Sequence, residues 1–124
     1  MAAEEQRSSR RINVTLPVRF LSGELNGELA LASTMNISLN GICLSCTEKL
    51  SLGQEIEIET VLPTSERLKL HAKVIWMREL DAPSAKIKEY RIGLKIADSS
   101  KPDMVKFKEF YNRQLSADGV GRRI

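Results

Sequence analysis

Residues Leu68–Met77 read "LKLHAKVIWM". Leu68, Leu70, Ala72, Val74 and Trp76 fall on one face of this stretch, and Lys69, His71, Lys73, Ile75 and Met77 on the other. A period of two marks a half-buried strand, because successive side chains of an extended chain point to opposite faces. Upstream, "EIEIETVL" alternates acidic and apolar residues until Pro63 stops it. Downstream, "YRIGLKIA" sets Ile92, Leu94 and Ile96 on one face. Nearer the start, "INVTLPVRFL" places Ile12, Val14, Leu16 and Val18 at the same period, and "ELALASTMNI" and "GICLSCT" are two further strand-like runs. The turns "SGELNG" and "SLGQ" and the loop "DAPSAKIKE" separate the runs. Short strands at regular spacing predict a mainly β fold, a closed or nearly closed antiparallel barrel.

The period changes after Ser99. "SSKPDMVKFKEFYNRQLS" carries Met104, Phe107, Phe110, Tyr111 and Leu115 at helical spacing. Ser99, Ser100 or Asp103 can cap this helix, and Pro102 suits its first turn. Its aromatic stripe is expected to lie over the barrel. The expected organisation is a flexible arginine-rich arm over 1–11, a barrel with its helix over 12–116, and a flexible tail over 117–124. No internal repeat or low-complexity segment interrupts it.

The chain has 124 residues, enough for one domain with its own core. With 19 basic and 16 acidic residues the net charge is +3, too balanced for a protein that coats nucleic acid. Arg7, Arg10, Arg11 and Arg19 nevertheless crowd the first twenty residues. A local cluster of that kind favours a small anionic partner. No run approaches the ~18 apolar residues of a membrane span, and the start lacks a secretory apolar region, so a cytoplasmic protein without membrane insertion is expected. Cys43 and Cys46 spell "CLSC" inside an apolar run, with no second such pair and with His71 as the single histidine. Buried, inert thiols are expected, without metal or cofactor. No triad-like set and no Gly-rich phosphate loop argues for an enzyme.

Two polar stretches interrupt this pattern. "RSSRR" at Arg7–Arg11 spaces two arginines four apart, with Arg10 between them. A guanidinium fork can hold phosphate oxygens or pair with guanine O6 and N7; a solvated basic arm is the alternative. "MNISLNG" at Met35–Gly41 sets Asn36, Ser38 and Gly41 in the pattern N-x-S-x-x-G. Asn36 and Ser38 offer hydrogen-bonding groups, and Gly41 allows a positive φ or a close approach. Taken alone, this stretch reads equally as an ordinary Asx-type turn.

Together they are more specific. R-x-x-x-R leading into a strand with "LPV", then N-x-S-x-x-G after the second strand, then a C-terminal helix, resembles the PilZ domain. "GQEIEIE", "AKVIWM" and "YRIGLKI" resemble later strands of the same family. The resemblance runs from about Gln6 to Leu115. It implies a six-stranded antiparallel PilZ-type β-barrel with a C-terminal α-helix. It also implies a bacterial receptor for cyclic di-GMP, with Arg7, Arg10, Arg11, Asn36, Ser38 and Gly41 as ligand-binding residues. Trp76 is a further candidate, for stacking on a guanine, although its alternation with Val74 and Leu70 equally suits the core. Arg91, opposite in face to Ile92, is within reach but is not counted among the ligand residues. Asn36 stands where many relatives have Asp, and lacks the charge assistance of a carboxylate. Gln6 stands where relatives that take two ligands often carry another arginine.

The implied mechanism is ordering of the arm over the bound dinucleotide, which changes the surface shown to an unidentified downstream protein. The alternatives are a PilZ-fold protein-interaction adaptor that does not bind the nucleotide, and a small barrel that binds RNA or single-stranded DNA. The second would want aromatics interleaved with basic residues on one sheet face. Aromatics are only 5% of the chain, and half of them lie in the helix.

Overall fold

The computed structural model describes residues 10–21, 29–80, 87–97 and 99–123. The elements are β1 (Ile12–Asn13), β2 (Pro17–Leu21), β3 (Leu29–Ile37), β4 (Gly41–Cys46), β5 (Glu55–Val61), β6 (Arg67–Glu79), β7 (Tyr90–Ile96) and α1 (Lys101–Arg123). All strand pairings are antiparallel, in the order β1-β3-β2-β5-β6-β7-β4, and a β3–β4 pairing closes β2–β7 into a six-stranded barrel. The expected mainly β barrel with a C-terminal helix is the fold observed, with β1 as one additional strand.

The stretch expected as a single strand over 12–21 is two. Ile12 and Asn13 pair with Ile37 and Asn36, whereas Pro17 pairs with Ser33, so the register has moved by one residue. Proline has no N–H to offer a ladder and suits the first position of a strand. Thr34 bridges the break. Its hydroxyl accepts from Leu16 N–H at 2.8 Å and donates to the Val14 carbonyl at 2.5 Å.

The interior follows the alternation. Ile56, Ile58, Leu68, Leu70, Ala72 and Val74 from β5 and β6 meet Val18, Phe20, Ile37, Ile42, Leu44, Ile92 and Leu94. Burying each large aliphatic side chain contributes roughly 1.5–3 kcal/mol. Helix α1 buries Phe107, Phe110 and Tyr111 in the same core, with Met104 and Leu115 packed against it, as its spacing predicts. Ser100 is the cap: its hydroxyl accepts from Asp103 N–H at 3.3 Å, and its carbonyl from Met104 N–H at 3.0 Å. Asp103 Oδ1 and Ser99 Oγ accept from the Lys69 and His71 backbone amides of β6, on the side where β7 has already ended. The helix continues over 117–123, where a flexible tail was expected; once nucleated, each added residue gains a hydrogen bond.

Two irregularities re-aim side chains. One lies between Thr34 and Asn36 in β3, the other between Val74 and Trp76 in β6. An extra residue flips everything after it to the other face. Trp76, whose alternation placed it equally with the core residues, therefore stands on the outer face, 40% exposed, and Met77 packs inward instead.

Candidate functional site

The outer face near the β3–β4 turn gathers the two polar stretches. Arg11 Nη1 donates to Asn36 Oδ1 at 2.7 Å, across 25 residues of sequence. Asn36 is brought to this face by the β3 irregularity, and its backbone pairs with Asn13. Ser38 is buried and closes the turn. Its amide donates to the Gly41 carbonyl at 2.9 Å, and its hydroxyl accepts from Gly41 N–H at 3.1 Å. Gly41 does not take a positive φ. It is needed for close packing, since a Cβ there would lie 2.9 Å from the Leu94 carbonyl and 3.6 Å from Arg11 Nη2.

Cross-strand register continues the site. Asn36 faces Cys43, Cys43 faces Gly93, and Gly93 faces Trp76. These four share one row on the outer face. A Cβ on Gly93 would come within 2.0 Å of Trp76 Nε1, so the indole lies directly on the glycine. Cys43 is 7% exposed and lies outside the core cluster, whereas Cys46 belongs to it. The two thiols thus occupy opposite faces, as residues three apart in a strand must. Both are free, and burial pushes both above the ordinary thiol range. At Cys43 the positive charges of Arg11, Arg91 and Arg78 oppose that rise. Three guanidinium groups therefore act on one thiol at the centre of the face. For Cys46 the opposing effect is its hydrogen bond to the Glu48 carbonyl.

Of the expected residues, Arg11, Asn36, Ser38 and Gly41 are brought together, and Trp76 lies on the same row beyond Cys43 and Gly93. Arg10 is described, and its carbonyl accepts a hydrogen bond from the Tyr111 hydroxyl of α1. Arg7, Gln6 and the rest of the arm over 1–9 lie outside the described residues. Gly93 and Arg78 were not singled out from sequence, and Cys43 was read only as an inert thiol. A glycine inside a strand was the available signal for a close approach at residue 93. Among the described residues no cluster of metal-ligating side chains occurs, and no helix is long and apolar enough to cross a membrane.

The described outer sheet between β5 and β6 is electrically mixed. Glu57 faces His71 and Glu59 faces Lys69, with an ion pair from Glu57 to Lys69 at 3.6 Å. Arg19 binds Glu59 and holds that carboxyl below its usual range.

None of the curated proteins compared matches the chain. Among solved structures, the PilZ domain with c-di-GMP of YcgR from Escherichia coli aligns at a TM-score of 0.71 and 14% identity, over 96% of this chain and 99% of that one. The K. pneumonia MrkH–c-di-GMP complex aligns at 0.73 and 14% identity, over 91% and 54%. The Bacillus subtilis inhibitor of motility (MotI/DgrA) aligns at 0.64 and 20% identity, over 90% and 52%. The chain thus spans about half the length of the last two. At these identities the likeness establishes the fold. The family profile described as PilZ domain matches residues 5–113, most of the sequence, and the chain therefore belongs to the PilZ domain family.

Proposed function

We propose that this chain is a cytoplasmic bacterial receptor for cyclic di-GMP that acts as an adaptor and not as a catalyst. The observation that carries the reading is the Arg11–Asn36 hydrogen bond. It joins the two halves of the motif at one site, beside a turn locked by Ser38 and Gly41. A guanidinium has five donors, and Asn36 engages one nitrogen while leaving the charge unneutralised. Arg11 can therefore still meet a phosphate or the O6 and N7 edge of a guanine. Arg7 and Arg10 supply further donors. Asn36 presents a neutral amide where a carboxylate would strengthen the contact, so affinity is lower than an aspartate would give. Trp76, exposed on the same row, offers a stacking surface for a base. The YcgR PilZ domain and MrkH, which share this fold, are both solved with c-di-GMP, which supports the reading.

Binding orders the arm ahead of Arg10 across the ligand and changes the face offered to a downstream protein. A nucleic-acid polymer is not the proposed partner: the ladder of β5 and β6 mixes acidic and basic side chains, so the basic character is confined to the face around Cys43 and does not run on around the barrel as a stripe. A second reading is an adaptor that contacts protein without the nucleotide. It is favoured by a groove of about 410 Å³ lined by Pro17, Leu31, Ala32 and Val61, of which Leu31 is 74% exposed.

Calorimetric titration with cyclic di-GMP, beside an Arg7→Ala/Arg11→Ala double variant, tests the choice. Micromolar or tighter binding that the variant loses supports the receptor. Absence of binding by the unmodified chain rejects it in favour of the adaptor.

A further inference from the structure

We propose that Arg78 and Arg91 form a second phosphate-binding position on the outer face, one row beyond Cys43, Gly93 and Trp76. The two arginines are direct cross-strand partners in β6 and β7, and Arg91 also faces Ser45 of β4. Arg78 lies two residues after Trp76 and Arg91 two before Gly93, so all four side-chain positions share the outer face. Like charges directly opposite in a sheet destabilise it. Arg91 adds a second cost: its Nε is buried and meets no hydrogen-bond partner. A buried donor left unpaired carries its full desolvation penalty. The nearby carboxylates do not relieve either cost. Glu89 is hydrogen-bonded by Ser45 Oγ at 3.4 Å, and Glu79 pairs with Lys88 at 3.6 Å. Among the described residues neither Arg78 nor Arg91 is in an ion pair.

One ligand removes both costs. A phosphate between the two guanidinium groups screens their repulsion, and drawing the Arg91 guanidinium outward to meet it uncovers the buried Nε. Arginine forks match phosphate oxygens, and such charge-assisted bonds are short and strong. Arg11 acts on Cys43 from the turn side of the row and Arg91 from the other, which spreads positive potential across the whole face. The phosphate belongs either to the dinucleotide held at Arg11 or to a second ligand molecule. This inference rests on the receptor reading for the identity of the nucleotide, but not for the anion site itself.

The test uses the full chain with Arg91→Gln and Arg78→Gln, and Lys108→Gln on the exposed side of α1 as the control. Calorimetry reads cyclic di-GMP binding, and fluorescence of Trp76, the single tryptophan, reads inorganic pyrophosphate. Either arginine variant is expected to weaken cyclic di-GMP by about 10- to 100-fold. Both are expected to abolish the pyrophosphate response, which Arg7→Ala/Arg11→Ala retains. The melting temperature without ligand should stay the same or rise, since a repulsion has been removed. A stoichiometry that falls from two to one in Arg91→Gln assigns the position to a second molecule. A stoichiometry fixed at one, with weaker affinity, assigns it to the first. Unchanged cyclic di-GMP affinity in both variants, with Arg7→Ala/Arg11→Ala inactive, overturns the second position and leaves the receptor intact. If the unmodified chain binds no cyclic di-GMP, the receptor reading fails and pyrophosphate decides: a response lost in Arg91→Gln supports the anion site, and no response overturns it. A lowered melting temperature in Arg91→Gln with unaltered binding also overturns it.

Discussion

The Trp76 indole rests on Gly93 so closely that a methyl group on residue 93 would fall 2.0 Å from its Nε1. The ring is a surface side chain and can swing away, so Gly93→Ala should displace the indole at little cost, under about 1 kcal/mol in urea unfolding. Its fluorescence should shift to the red as the ring leaves its seat. Trp76→Ala should likewise change stability little. If Trp76 stacks on a base, cyclic di-GMP should bind Trp76→Ala about 5- to 150-fold more weakly in calorimetry, the equivalent of roughly 1–3 kcal/mol.

Thr34 holds the break between β1 and β2 with one hydroxyl. Thr34→Val keeps the shape but leaves the Leu16 amide and the Val14 carbonyl without that partner. Destabilisation of about 2–3 kcal/mol is expected, read as a lower urea midpoint at unchanged slope.

Tyr111 joins the helix to the arm through the Arg10 carbonyl. Tyr111→Phe removes that bond alone and should lower stability by about 0.5–1.5 kcal/mol. Amide hydrogen exchange at Arg11 and Ile12 should accelerate more than exchange in β5, because the loss is local.

The thiols of Cys43 and Cys46 are raised by burial, which sets a sign for alkaline pH. Above the ordinary thiol value the unfolded chain loses these protons while the folded chain keeps them. Stability therefore is full below that value and falls as pH rises through it. With two thiols the fall approaches about 2.7 kcal/mol per pH unit. Urea unfolding between pH 8 and 10 should show this slope in the unmodified chain, and a shallower one in Cys43→Ala/Cys46→Ala.

Strand positions, the barrel and the helix stripe were legible because each rests on a period in the sequence. The alternation of Leu68 to Trp76 is unbroken, so nothing in it marks Ile75 as the place where β6 gains a residue. That irregularity is set by pairing with β7, which is not local. Pro17 was a readable signal that "INVTLPVRFL" could not be one continuous ladder. Asn36, Ser38 and Gly41 were visible as a motif, but the partnership of Asn36 with Arg11 needs the fold. Arg78 and Arg91 are thirteen positions apart in the numbering and become neighbours only through β6–β7 register.

The start of α1 has a consequence for how other proteins can attach. Lys69 and His71 offer their amides where β7 no longer covers β6, and Asp103 and Ser99 already take them. A visiting strand cannot zip onto the barrel at these positions without unseating the helix. Recognition there must read side chains, and the barrel is spared the edge-to-edge sticking that threatens open sheets.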